Sequence, residues 1–406
     1  MNKKMITLLS AIVLVVSCTC ITKTLTIKND SKNDLSDKVV VLTRSQVEQS
    51  LGHEVSGLVY AKSDKDIYAT QCDDLDGDGK WDEVAFLINL KAGESKQIEL
   101  KEEATEEDMP VFMKRTNIRF GHVKEPYEDA FGEQRLKSND SPTISEIYQM
   151  EGPAWENDKV GFRNYYDARN GIDIFGKKVS TMVLDSVGIR GQYYHEMDSW
   201  GMDILKVANS LGAGAIAIGV GDSIYRVGPC EEGDVRMITE GPVRAILEFT
   251  FKGVPAGDRL YNVTHQITLN AGDNYYTASV AIDGLQGDEN LVTGIVNKHE
   301  CPLLEESADH MRIFATLGPQ AFTDEYLGLG LIIPDDEYVY NKLSPMEGDG
   351  ITETYLVGLK ISENSKTKYS FFSGWEYQDE GFKDQGYFLE QLKNAALKIS
   401  SKISVK

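Results

Sequence analysis

Four stretches in the second half of this chain alternate apolar and polar residues with a period of two: PVRAILEFTFK over 242–252, YNVTHQITLN over 261–270, and the segments 274–282 and 355–361. Successive side chains of a strand point to opposite faces, so this period belongs to sheets with one covered face. Helical periodicity is convincing only over 386–400, where Phe388, Leu389, Leu392, Ala395, Ala396 and Ile399 fall on one stripe. Many antiparallel strands across roughly 300 residues predict a large two-sheet sandwich. Before it, short runs rich in Val, Ile and Thr at 24–27, 38–43, 57–60, 84–90 and 97–100 are separated by Asn, Asp, Ser and Gly, and predict a smaller β-sandwich. The acidic stretch KEEATEED over 101–108 reads as a linker. The expectation is a mainly β protein, with a small N-terminal sandwich over 18–108, a larger one over 109–406 and one C-terminal helix.

The first residues speak to location. Lys3 and Lys4 precede an apolar run over 5–16, the n-region and h-region of a signal peptide over 1–17. The run is shorter than the ~20 residues needed to span a bilayer. It ends in Val15-Val16-Ser17-Cys18, a lipobox pattern that predicts cleavage before Cys18 and lipidation of its thiol. The expected location is the periplasm or outer membrane, with the membrane met only through the lipid.

The chain carries a formal net charge of −22, and loss of the two leader lysines makes it more negative still. That balance lacks the basic footprint of a nucleic-acid binder. An anionic substrate would have to be met by a local cluster of Arg, Lys or His. Beyond the export segment only Cys72, Cys230 and Cys301 remain, an odd number without metal-ligand spacing; they exclude a disulfide framework and allow one bridge.

The sharpest local motif is DLDGDGKWDE over 74–83. Carboxylates at Asp74, Asp76, Asp78 and Asp82 can converge on one hard cation, and Gly79 permits the tight bend. The glutamate that closes an EF-hand is missing, because a strand begins there instead. Structural Ca²⁺ is the expected ligand, a solvated acidic turn is the alternative, and no organic cofactor is indicated.

Two segments combine charge with aromatic residues: EGPAWENDKVGFRNYYDAR over 151–169 and QYYHEMDSWGMDILK over 192–206. Trp155 and Trp200 suit stacking on sugar faces. Arg163, Arg169, Tyr166 and His195 suit recognition of an acidic sugar, with the competing reading that Arg163 and Arg169 merely pair with Asp158, Asp167 or Asp173. His299 is a further candidate. His122 is a weaker one, and His265 lies mid-strand.

These segments also carry a resemblance. Residues 73–83, MEGPAWEND over 150–158, GFR over 161–163, DIFGK over 173–177, DILK over 203–206 and SLGA over 210–213 resemble domain-of-unknown-function family 4861 of Bacteroidetes carbohydrate-utilisation clusters. The resemblance spans nearly the whole chain. It implies a galactose-mutarotase-like supersandwich, neighbours that break down uronic-acid polysaccharides, and similarity to an oligosaccharide dehydratase. On that basis an acidic oligosaccharide is the expected partner and β-elimination the expected reaction. Arg163, helped by Asn157, would neutralise the sugar carboxylate. His195 or Tyr194 would take the C5 proton and the other would protonate the leaving oxygen. Glu156 or Asp198 would set the histidine tautomer. A mutarotase-type isomerase and a non-catalytic glycan-binding lipoprotein are the alternatives.

Overall fold

A computed structural model describes residues 24–406 apart from Asp140. Cys18 and the leader lie outside the described residues. Among the described residues strands hold 46% and helices 10%, so the protein is mainly β. No helix among the described residues is long and apolar enough to cross a membrane.

The N-terminal sandwich is built from two antiparallel sheets. One orders Ile403–Val405, Thr24–Asn29, Ser95–Glu103 and Leu58–Lys62; the other orders Leu35–Thr43, Glu83–Leu90 and Thr70–Asp73. Alternation along these strands turns Ile27, Val40, Leu42, Val59, Phe86, Ile88 and Ile98 into one core. The extreme C-terminal strand falls in the second domain by its position in the sequence, yet it belongs to this first one: Ile27 pairs with Val405 and Asn29 with Ile403. The short helix Arg44–Leu51 has no counterpart in the periodicity. Its start is fixed by a capping box in which Thr43 and Gln46 satisfy each other's backbone N–H.

The larger unit packs an eight-stranded antiparallel sheet against two five-stranded ones. The eight strands run, in spatial order, Glu232–Thr239, Arg244–Ala256, Arg259–Asn270, Tyr275–Asp283, Thr367–Trp375, Tyr326–Pro334, Met311–Pro319 and Leu304–Ala308. The alternating segments 242–252, 261–270 and 274–282 are neighbouring strands of this sheet, and 355–361 lies in one facing it. The apolar core between the sheets joins Leu247, Phe249, Ile267 and Tyr276 to Trp155, Phe162, Ile174 and Ile295. The outer face is covered by helix Gln385–Ser400, whose Phe388, Leu392 and Ala396 sit on Ile313, Ile332 and Phe372. Gly328 and Gly330 make that approach close: a Cβ there would come 2.4 Å from Phe388 and 2.5 Å from Leu392.

The sheet that positions the candidate site orders Gly201–Asp203, Ile172–Lys177, Val160–Asn164, Ala154–Asn157 and Thr116–Arg119. Its register sets Arg163 opposite Asp173 and Phe175 opposite Asp203. One face carries Trp155, Phe162, Ile172 and Ile174 into the core. The other carries Glu156, Arg163, Asp173, Lys177 and Asp203, and is roofed by the loop over 178–200.

Candidate functional site

Arg163 is the hub of that roofed face and is fully buried. Its guanidinium donates to Glu151 at 2.9 Å, Asp173 at 2.6 Å and Asp203 at 3.1 Å, and also to the carbonyl of Met150. Tyr165 stacks over it, 4.1 Å from the ring centroid, and donates to Asp173 at 3.0 Å. Met150 and Glu151 both adopt positive φ, at 54° and 64°. Two consecutive non-glycine residues in that region are unusual and cost energy that the surroundings must repay; here the turn presents a carbonyl and a carboxylate to one arginine. Burial, and then the adjacent Asp173 carboxylate, hold Asp203 well above the usual carboxylate range. A carboxyl so placed favours its neutral form.

The loop over 178–200 is fastened above this cluster. Glu156 accepts from the backbone N–H of Val183 at 2.7 Å and Leu184 at 2.8 Å, while Gln149 donates to the carbonyls of Leu184 and Val187. Glu156 is itself fully buried and ion-paired to Lys177. Toward its end the loop lays Tyr194 and Trp200 edge-on to Phe175. The Tyr194 hydroxyl points at Glu151, 3.4 Å away, and burial raises its pKa above the ordinary phenol value.

His195 follows on the rim. Its ring lies 4.6 Å from that of Tyr194 and 5.4 Å from that of Phe322, tilted 29° to the latter. Nδ1 is buried, 3.5 Å from Asp203 Oδ2, without hydrogen-bond geometry. The side chain keeps 24% of its surface exposed, and with Nδ1 turned inward the open atom is Nε2. Burial, then the charge of Arg163, lower its pKa below 6.5, so the ring is neutral at neutral pH. His195, Tyr193, Tyr194, Gln192, Glu151 and Tyr148 line one wall of a cavity of about 350 Å³. Three larger clefts, of about 670, 630 and 400 Å³, lie elsewhere, beside helix Gln385–Ser400.

Residues 163 and 195 thus meet in one place, as their segments led us to expect, but with altered roles. Arg163 is sealed, with both terminal nitrogens engaged and Nε buried, so it does not reach a substrate carboxylate. Trp155 is no sugar platform: strand parity points it into the core, stacked on Phe162. Tyr166 also lies in the core, its hydroxyl given to the carbonyl of Glu133. Asn157 is buried and holds the carbonyls of Asn270 and Asp273. Arg169 pairs with Asp167 and stacks on Tyr165. Neither Glu156 nor Asp198 orients His195; Asp198 accepts from Gln192 and Ser199 at the surface. Trp200 is 7% exposed, under the loop rather than in the opening. His299 is half-buried with Nε2 unpartnered. Sequence reasoning overlooks the roles of Glu151, Asp173, Asp203 and Phe322. The signal is present for the aspartates, as carboxylates set between apolar residues in Ile172-Asp173-Ile174 and Met202-Asp203-Ile204.

Elsewhere, His122 pairs with Glu133 at 2.6 Å, His265 is buried in the core, and the three cysteines are free. In the acidic loop, carboxylate oxygens of Asp74, Asp76 and Asp78 lie within 4.8 Å of one another. Asp82 is not part of that group; its carboxylate accepts from the N–H of Leu75 at 2.8 Å.

Among known proteins, "Uncharacterized protein P7" of Formosa agariphila is 24% identical over 281 residues, 64% of each chain. An α-mannosidase and a glycosyl hydrolase family 38 protein, both from Enterococcus faecalis, superpose with a TM-score of 0.45 and 9% identity each. They cover 94% and 95% of this chain, which spans 46% and 48% of theirs. The family described as Domain of unknown function (DUF4861) matches residues 27–405, and this chain belongs to it.

Proposed function

We propose that this protein is an exported, lipid-anchored enzyme that eliminates the C4 substituent of a uronic acid in an oligosaccharide, using His195 and Tyr194. The observation that supports this reading is the pairing, on one cavity wall, of a neutral imidazole with a phenol that burial keeps protonated. The two groups have the protonation states a base and an acid need at the start of the reaction.

In the proposed step the C5–H bond breaks and its proton passes to His195 Nε2. The electron pair forms the C4–C5 double bond, and the C4–O bond breaks. The departing oxygen takes the proton of Tyr194 and leaves as water or as a sugar hydroxyl. Tyr194 regains a proton from the imidazolium, so the pair ends as it began. The negative charges of Asp173 and Glu151, which act on His195, stabilise the imidazolium while it exists. Arg163 is a positioning residue, which fixes Glu151, Asp173 and Asp203 behind the pair.

The test is turnover by the purified chain of a panel of uronate oligosaccharides, followed by the ultraviolet band of the unsaturated product and by mass for loss of water. His195→Gln and Tyr194→Phe are each expected to lower kcat by about 10²- to 10⁴-fold with substrate affinity largely kept. Turnover unaffected by either change would overturn the assignment. Faster anomer exchange with no unsaturated product would favour an isomerase instead.

A further inference from the structure

With Arg163 sealed, the elimination lacks a group to neutralise the sugar carboxylate, and without one the C5 proton is not acidic. Lys206 stands nearest to supplying it. It follows Asp203 by three residues, is half-buried, and holds its Nζ 4.8 Å above the ring of Phe322. That same ring stacks with His195, and the Phe322 N–H is tied to the carbonyl of Ile204 at 2.8 Å. Among the described residues, no carboxylate lies within ion-pair distance of Lys206; it rests instead on an aromatic face.

His299 is the second candidate. Its Nε2 is buried without a hydrogen-bond partner. Buried polar atoms are seldom left so, and one that is needs an explanation such as a ligand. Lys206 is close enough that its charge acts on His299, as do Lys298, Asp324 and Glu353. Glu353 is already paired with Lys298 at 3.1 Å, and Asp324 is exposed to solvent. Lys206 thus offers a cation on the ring that stacks with His195, with the His299 imidazole near it, in a chain with 64 acidic residues against 42 basic ones.

We infer that Lys206 and His299 form the subsite that binds the substrate's carboxylate, placing C5 against His195. This rests on the reading of the His195 cavity as a sugar site. Lysine acts there as a compact point charge on a flexible stem, and Phe322 restrains that stem while presenting an apolar face to the ring.

The test measures affinity apart from turnover. Binding of a glucuronate-terminated trisaccharide, its carboxyl-reduced counterpart and a uronate-free trisaccharide bearing a sulfate is followed by calorimetry in the His195→Gln chain. A charge-assisted contact of ordinary strength corresponds to a loss of about tenfold or more. Lys206→Gln is therefore expected to weaken the acid by that factor and leave the reduced sugar unchanged. Lys206→Arg is expected to keep most of the affinity, and added salt to weaken the acid but not its carboxyl-reduced counterpart. Equal losses for acid and reduced sugar, no loss for the acid, or no binding of the acid at all would overturn the subsite. Equal affinity for the sulfated sugar would overturn its assignment to a carboxylate. Wild-type turnover with acid affinity untouched by Lys206→Gln would sink this inference and leave the elimination standing. Selective loss of acid binding without wild-type turnover would do the reverse.

Discussion

At the scale of single residues, the site is decided by strand parity. Arg163 and Phe162 are neighbours in sequence and face opposite ways, one into a roofed cluster of charges and the other into the core. The alternation is visible in the sequence, but which face would be covered is not. A charged face on a strand ordinarily means solvent; here the loop over 178–200 buries it, and the charges persist because each has a partner. The loop's own content, His195 and Tyr194, stands out in the sequence as part of a charged and aromatic cluster, and the roles proposed for the pair start from that.

Their protonation states give a pH prediction. The base works only when neutral, and burial and Arg163 lower the pKa of His195 from 6.5. Activity should therefore rise with pH through a midpoint below 6.5 and be full at neutrality. The acid works only when protonated, and burial raises Tyr194 above 10.0, so the alkaline fall should lie beyond the usual phenol range. A pH profile of kcat/KM measures both limbs. A midpoint above 7 on the acid side would mean that His195 is not the base.

At the scale of elements, strands and the long helix are readable because their periods repeat over enough residues to stand out. Periodicity alone locates the last helix over 386–400, within a residue of its observed start, and its apolar stripe is the buried one. The helix Arg44–Leu51 has only Val47 and Ser50 buried, too short a stripe to announce itself, and it depends on its capping box. The strand Ile403–Val405 is three residues long and makes sense only through its partner at the other end of the chain.

The acidic loop belongs to this scale as well. Asp74 already accepts from the N–H groups of Gly77 at 2.7 Å and Gly79 at 2.8 Å, which curls the turn and aims three carboxylates inward. Those charges repel unless a cation joins them. If calcium binds the folded turn alone, a concentration one hundred times its Kd adds about 2.7 kcal/mol of stability. Calcium is expected to raise the Tm of the purified chain, a chelator to lower it, and Asp76→Ala to abolish both responses. A Tm indifferent to calcium and chelator would show that the backbone hydrogen bonds suffice.

At the scale of the whole molecule, the two sandwiches are joined by a polar seam as well as an apolar one. Ala85 and Leu87 of the first meet Val243 and Ala271 of the second. Beside them Asp73, fully buried, accepts from Arg244 Nε at 2.7 Å, and Arg244 reaches Glu83 at 2.8 Å. Gln71 completes the seam by donating to the Arg244 carbonyl at 2.9 Å and accepting from the N–H of Val243. None of this is visible in the sequence, since Asp73 and Arg244 lie 171 positions apart and each looks like an ordinary polar residue of a strand end. The physical consequence is asymmetric. Removing one member of a buried pair strands the other charge and costs about 3–5 kcal/mol, whereas removing both costs far less. Arg244→Met alone should therefore lower the Tm sharply, and Asp73→Asn combined with Arg244→Met should recover much of the loss. Thermal unfolding of the two single variants and the double variant closes the cycle. If the double variant is as unstable as the sum of the singles, Asp73 and Arg244 act independently and the seam is held by its apolar contacts and Gln71.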